Sequence, residues 1–160
     1  MANDAISRKI AQAEFHLDRL RGTKDAFEIE CHFAALIACV RSVAMYVHEW
    51  HVVNGKASDH RDWSAITSWE ATLPADDFEC WRALTRIRNQ DIHEEPIIPV
   101  PVRVGGWLGN WSGGWFGGWF GGALVQHVKD PKSGIEFSVA KVCEHGIKVA
   151  KQLLSDYTTM

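Results

Sequence analysis

The stretch that decides the fold runs from Phe33 to Trp50 and reads FAALIACVRSVAMYVHEW. Its large apolar residues recur at steps of three and four, which is the spacing of one face of an α-helix. The stripe consists of Phe33, Leu36, Val40, Val43, Val47 and Trp50. A stripe of this kind must be buried against other elements, so the stretch predicts a core helix over residues 25–52.

Helical patterns also lie on both sides of this core helix. The first spans residues 3–21, with Asn3 or Asp4 as its N-terminal cap and Gly22 at the position of a left-handed C-terminal cap. The short link that follows predicts an antiparallel helical hairpin. The remaining predicted helices span residues 59–72, with Ser58 or Asp59 as the cap, residues 75–94 and residues 138–157.

The pattern changes between the fourth predicted helix and the last. Residues 98–104 are rich in proline, which cannot donate to a β-ladder, so they read as an edge strand. Residues 123–128 and 135–139 flank a turn and predict a β-hairpin. We therefore predict a mainly α fold over residues 1–160 as one domain. It is an up-down helical bundle with a small β-hairpin insertion before the C-terminal helix.

A Gly/Trp-rich insertion occupies residues 105–122. Its tryptophans recur every four residues at Trp107, Trp111, Trp115 and Trp119, but the glycines between them disfavour a stable helix. The insertion either folds onto its own domain or dimer, stacks nucleic-acid bases, touches a membrane surface or binds a partner protein. The sequence leaves these alternatives open.

Composition and charge narrow the functional classes. The chain has 160 residues and a formal net charge of −3, which argues against indiscriminate coating of DNA or RNA. Its four cysteines are scattered without a CxxC pair, and its first residues have no apolar signal core. No segment carries the roughly 20 apolar residues that span a bilayer. These features predict a cytoplasmic protein with free thiols and no transmembrane segment. We also expect no cofactor.

The residues that could carry chemistry lie near the end of the fourth predicted helix. Arg88 offers a planar, permanently charged fork that suits phosphate, and His93 titrates near neutrality and can move protons. Asn89 can orient either group. These are the parts needed to cleave an RNA phosphodiester without a metal ion.

The spacing of this run limits how the site could be built. Arg88 and His93 are five residues apart, about 140° round a regular helix. Either the last turn unwinds near Pro96, or two copies of the chain combine their groups across a symmetric interface. Otherwise the run is an ordinary helix end, whose polar residues are either solvated or paired with Glu94 and Glu95.

Arg88-Asn89, followed after three residues by His93-Glu94, resembles the Arg-x4-His motif of the HEPN (higher eukaryotes and prokaryotes nucleotide-binding) domain family. Residues 33–43 are similar to the small-residue-rich helix, ending in Ala-Arg-Ser-Val, of some bacterial members. The resemblance covers about Asp4 to Glu95 together with the closing helix.

This resemblance implies a bundle that dimerises and a metal-independent ribonuclease that cleaves RNA. The settings it implies are toxin–antitoxin systems with an antitoxin partner, phage defence or RNA processing. By position, His93 is the proton-transfer residue, Arg88 binds the scissile phosphate and Asn89 orients them. The supporting residues are Asp91, Glu94 and Arg41.

Two other functions stay open. Some HEPN members lack nuclease activity, so the chain could be a non-catalytic module that binds a partner protein or a nucleotide. More distantly, His48-Glu49-Trp50-His51 is one residue shorter than the zinc-binding pattern His-Glu-x-x-His. His48 and His51 still share a helix face at a step of three, which makes them candidate metal ligands.

Overall fold

The computed structural model describes the backbone of residues 2–93, 99–103 and 124–158, and the side chains of residues 3–89, 99–100 and 126–158. The helices are α1 (Ala2–Gly22), α2 (Ala26–Val53), α3 (Ser64–Glu70), α4 (Ala75–His93) and α5 (Val139–Asp156). The strands are β1 (Val100–Arg103), β2 (Leu124–Lys129) and β3 (Glu136–Ser138). The prediction of a mainly α bundle with a small β-hairpin before the C-terminal helix is confirmed. The Gly/Trp-rich insertion lies outside the described residues.

The core forms around α2, which packs against α1, α4 and α5. Leu36, Val43 and Val47 of its predicted stripe have no exposed surface, and Phe33 is 1% exposed, whereas Trp50 is only partly buried. Burying an aliphatic or aromatic side chain of this size contributes about 1.5–3 kcal/mol. The predicted stripe therefore places α2 at the centre of the bundle.

The length and apolar composition of α2 would also allow it to cross a membrane. No other helix in the described ranges meets that criterion. A buried core helix passes the same test, and the stripe of α2 faces the other helices of this bundle. The expectation that no segment is long and apolar enough to span a bilayer is therefore not met by α2, although its apolar stripe is buried in the bundle.

The start of α1 differs from the prediction. The helix begins at Ala2, so Asn3 and Asp4 lie inside its first turn and do not cap it. Asn3 Oδ1 instead accepts a hydrogen bond from the hydroxyl of Tyr157 at 2.6 Å. This bond joins the two ends of the described chain.

The link between α1 and α2 is short, as predicted, but Gly22 does not have a left-handed conformation. Helical bonding instead continues past it, because the N–H of Thr23 donates to the carbonyl of Arg19 at 3.0 Å. Asp25 then caps α2, its Oδ1 accepting from the N–H of Glu28 at 2.9 Å.

The predicted helix over residues 59–72 is too long at its start, because α3 begins at Ser64. The carboxylate of Asp62 accepts from the backbone N–H groups of Ser58 at 2.9 Å and Ser64 at 3.1 Å. Such local bonds compete with helical bonding. The chain therefore forms turns up to Asp62, and neither Ser58 nor Asp59 caps the helix.

The three strands form an antiparallel sheet in the order β1-β2-β3, so the proline-containing β1 lies at an edge as predicted. His127 of β2 pairs with Val100 on one side and Ser138 on the other. Ser138 ends β3 and also caps α5, accepting from the N–H of Lys141 at 3.5 Å. The hairpin is thus continuous with the C-terminal helix, on which β2 and β3 pack.

The buried face of α5 includes Val142, Gly146, Val149 and Leu153, and α4 approaches closely at Gly146. A Cβ at Gly146 would overlap the side chain of Leu84 and would lie 3.7 Å from Val40 Cγ1. The absence of a side chain at this position therefore allows α4 to approach α5 closely.

Candidate functional site

α4 carries the predicted site, and its backbone is α-helical throughout the run from Arg88 to His93. Unwinding of the helix before His93 is therefore not observed, and the two positions stay about 140° apart. The side chain of Arg88 is half-buried and that of Asn89 is exposed. The side chains of Asp91 and His93, and all of Glu94, lie outside the described residues.

The fold brings Arg41 of α2 close to Arg88 of α4. Burial lowers the pKa of the Arg41 guanidinium, and the positive charges of Arg88 and Arg82 lower it further, while Glu70 acts in the opposite direction. Two guanidinium groups in a half-buried place repel each other and lose hydration. This corner of the bundle therefore favours an anion.

An aromatic ring holds the guanidinium of Arg41. Its Cζ lies 4.8 Å from the centre of the Trp63 ring, which is a cation–π contact. Trp63 in turn stacks on His48, with ring centres 4.0 Å apart and an interplanar angle of 21°. A cation–π contact positions a guanidinium without neutralising it, so the positive charge of Arg41 remains available.

Glu70, whose charge acts on Arg41, already accepts hydrogen bonds from other donors. Glu70 is 6% exposed, and its Oε1 accepts from Trp81 Nε1 at 2.8 Å while its Oε2 accepts from Arg82 at 3.2 Å. Arg88 Nε is buried without a hydrogen-bond partner in the described part of the chain. Among the described side chains, neither Arg41 nor Arg88 forms an ion pair.

A third arginine of α4 has a carboxylate of its own. Arg86 donates from Nε and Nη2 to the two oxygens of Asp130, at 2.7 and 2.5 Å, and Asp130 is fully buried. Ser133 and the N–H of Lys132 also donate to Asp130. The sequence predicts Asp130 only as part of a turn. Arg86 lies 44 residues before it, and no local pattern connects the two residues.

A second buried carboxylate joins α4 to α5. Asp77 is 3% exposed and accepts from His145 Nδ1 and Lys148 Nζ, both at 2.6 Å. Burial alone would raise the pKa of Asp77, but the hydrogen bonds from Lys148 and His145 outweigh it and hold the pKa below its ordinary value. The neighbouring Cys143 is fully buried, and burial raises the pKa of its thiol, so it is unsuited to nucleophilic chemistry.

The two histidines proposed as metal ligands contact different carbonyl groups. His48 Nε2 lies 3.1 Å from the carbonyl of His60, and His51 Nε2 lies 3.1 Å from that of Tyr157. Within the described ranges, no group of three or more His, Cys, Asp or Glu side chains is arranged to hold a metal ion. The geometry therefore gives the metal hypothesis for His48 and His51 no support.

An open groove of about 700 Å³ lies between α1 and α5. Its charges are largely paired, with Arg21 against Glu144 at 2.6 Å and Lys151 against Glu14 at 2.6 Å. Paired charges present no strong field of one sign. The arginine pair of α2 and α4 is therefore the better candidate for binding a charged ligand.

Comparison of the chain with protein-family models, with curated proteins and with solved structures found no match in any of the three. The HEPN resemblance of Arg88, His93 and the second helix stays a prediction. The function of the chain must therefore be inferred from the chemistry of the site itself.

Proposed function

We propose that the chain is a metal-independent endoribonuclease that acts as a homodimer, binding the scissile phosphate with Arg88 and Arg41 and transferring protons with His93. One observation carries this proposal. The positive charge of Arg88 acts on Arg41, both side chains are half-buried, and neither forms an ion pair among the described residues. Two positive guanidinium groups repel each other, and an anion that lies between them replaces this repulsion with attraction.

The chemistry of guanidinium groups favours a phosphodiester as that anion. Arginine presents a planar fork whose N–H groups match the oxygens of a phosphate. Because the formal net charge is −3, the protein surface as a whole does not attract RNA, and the attraction comes from this local site. The proposal therefore expects a small number of phosphate contacts and a weak dependence of binding on salt concentration.

The proposed reaction uses the 2′-hydroxyl of the RNA as the nucleophile. A neutral imidazole removes the 2′-hydroxyl proton, the oxygen attacks phosphorus, and the bond from phosphorus to the 5′ oxygen breaks as an imidazolium protonates that oxygen. The products are a 2′,3′-cyclic phosphate and a free 5′-hydroxyl. Arg88 and Arg41 stabilise the additional negative charge that forms on phosphorus.

The regular course of α4 supports a composite site in a dimer. Because Arg88 and His93 are about 140° apart on one helix, groups from two copies meet more readily than groups from one copy. The remaining predicted properties belong to the same proposal. They are an antitoxin or another protein partner and a cytoplasmic location.

Incubation of labelled RNA with purified protein in excess chelator tests this function. We expect the wild type to leave cyclic phosphate ends and His93→Ala to cleave at least about 100-fold more slowly, because proton transfer contributes that much. His60→Ala is the matched control, since its side chain is 70% exposed, and it should cleave at the wild-type rate. No cleavage by the wild type, or equal cleavage by His93→Ala, contradicts the proposal.

The same arginine pair also supports a non-catalytic module that binds a nucleotide or the phosphate of a partner. Such a module needs the two guanidinium groups but no proton transfer. In that case RNA binds without being cut, Arg88→Gln weakens the binding, and His93→Ala leaves it unchanged. Fluorescence anisotropy of labelled RNA, read beside the cleavage assay, separates the two functions.

A further inference from the structure

Two histidines from different helices meet at the contact between α1 and α2. His16 Nδ1 and His32 Nδ1 lie 3.1 Å apart, their ring centres are 5.3 Å apart, and both side chains are half-buried. Buried neighbours on each helix fix this spacing, including Ala13 and Leu17 on α1 and Phe33 on α2. The two nitrogens are therefore held close before any ligand arrives.

The spacing is close to that of two nitrogens bound to one metal ion. At a metal–nitrogen distance of about 2.05 Å and tetrahedral angles, two imidazole nitrogens lie roughly 3.3 Å apart. Burial lowers the pKa of His16, and the neighbouring His32 lowers it further. Neutral imidazole is the form that ligates metal ions, so the lowered pKa of His16 acts in the same direction as the spacing of the two nitrogens.

We infer that His16 and His32 form a two-histidine site for a divalent transition metal ion such as Zn²⁺, Ni²⁺ or Cu²⁺. Imidazole nitrogen suits these three ions, and Cu²⁺ should bind most tightly. Among the described residues, no third His, Cys, Asp or Glu joins the pair, so water completes the coordination. The site is independent of the proposed nuclease chemistry, which uses α4 and needs no metal.

An ion bound here joins α1 to α2 across the helical hairpin. It binds the folded chain, in which the two rings meet, more tightly than the unfolded chain, in which His16 and His32 are far apart. Binding of this kind stabilises the fold by mass action. At about 100 times its Kd, the ion should raise the melting temperature by roughly 5–10 °C.

The test compares thermal melts of chelator-stripped full-length protein with and without Zn²⁺ or Ni²⁺, in the wild type, His16→Gln, His32→Gln and His60→Ala. We expect the wild type and His60→Ala to show the same ion-dependent rise, and either glutamine variant to bind at least about tenfold more weakly. The exposed His60 controls for adventitious binding to a single histidine. An equal rise in all four proteins, or no rise in the wild type, overturns the inference.

Electron paramagnetic resonance of the wild type with one equivalent of Cu²⁺ gives a second measurement that does not depend on the stability of the variants. Two coordinated imidazole nitrogens support the site, and a single nitrogen overturns it. If the contact is only a hydrogen bond between the rings, His16→Gln lowers the melting temperature but leaves its response to the ion unchanged, which also overturns the inference. None of these readouts involves RNA cleavage, so failure here is distinguishable from failure of the proposed function.

Discussion

Arg86 and Arg88 lie two residues apart on α4 in opposite electrostatic surroundings. Arg86 donates hydrogen bonds from two of its nitrogens, Nε and Nη2, to the fully buried Asp130. Arg88 has a buried Nε without a partner in the described part of the chain, and its positive charge acts on Arg41. Two residues are about 200° round a helix, so the two side chains leave α4 on nearly opposite sides.

Arg86 is paired with a carboxylate, whereas Arg88 forms no ion pair among the described side chains. A buried carboxylate that accepts from Arg86, Ser133 and Lys132 ties the β-turn to α4, and loss of one partner would leave a charge uncompensated. Arg88 instead contributes to a local positive charge that the described fold does not neutralise. The residue type is the same, but the two side chains lie on nearly opposite sides of α4, and of the two only Arg86 has a carboxylate partner among the described residues.

The largest effect should come from removing the carboxylate of Asp130. Asp130→Asn leaves Arg86 with no counter-charge and should lower the free energy of unfolding by about 3 kcal/mol or more, as for other broken buried pairs. Chemical denaturation measures this change. Asp18→Asn is the control, because its 3.7 Å pair with Arg21 is exposed and should contribute less than about 1 kcal/mol. Equal unfolding midpoints for the two variants would show that Asp130 does not hold the turn.

Acid should weaken the same pair in the wild type. Burial alone would raise the pKa of Asp130, but hydrogen bonds from Arg86, Ser133 and the N–H of Lys132 outweigh it and hold the pKa below its ordinary value. Because the folded-state pKa is the lower one, the stabilisation is complete above the unfolded value of about 3.9 and is lost as pH falls through the folded value. We therefore expect stability to decline below about pH 4 and Asp130→Asn to show a flatter profile. A variant profile parallel to that of the wild type would contradict this assignment.

The smallest effect on stability should come from Arg88 itself. Arg88→Gln removes a repulsion with Arg41 and should change the free energy of unfolding by less than about 0.5 kcal/mol. Arg86→Gln is the matched comparison, two residues away, and should cost about 3 kcal/mol because it leaves Asp130 buried and unpaired. RNA binding should respond in the reverse order, with Arg88→Gln reducing its salt dependence by about one phosphate contact. Similar stability losses in both variants would remove the distinction between the two arginines.

Much of the fold could be predicted from local sequence patterns. The stripe of α2 and the hairpin could be predicted because helix and strand periodicities are local properties. The predictions failed where local side-chain bonds compete with helical ones. The hydrogen bonds of Asp62 keep residues 58–62 in turns, so α3 begins later than predicted. Gly22 is part of α1 and does not form the left-handed cap that was predicted.

The candidate site was predictable only in part. The sequence singled out Arg88 and, more loosely, Arg41, because their residue types suit phosphate. No sequence pattern predicted that Trp63 would contact Arg41. None predicted that Glu70 would accept hydrogen bonds from Trp81 and Arg82. These partners come from different elements, and periodicity along one helix carries no information about which side chains of two helices meet.

The sequence by itself determined the helices, the edge strand and the hairpin, because hydrophobic spacing and proline act within a few residues. Only the tertiary structure decided which charges are compensated. It placed Asp130 against Arg86, brought Arg41 to Arg88, and set His16 beside His32. The physical reason is that a charge is compensated only when an opposite charge lies within a few ångströms, and the two groups are often far apart in the chain. Those distances are fixed by the packing of α1, α2, α4 and α5.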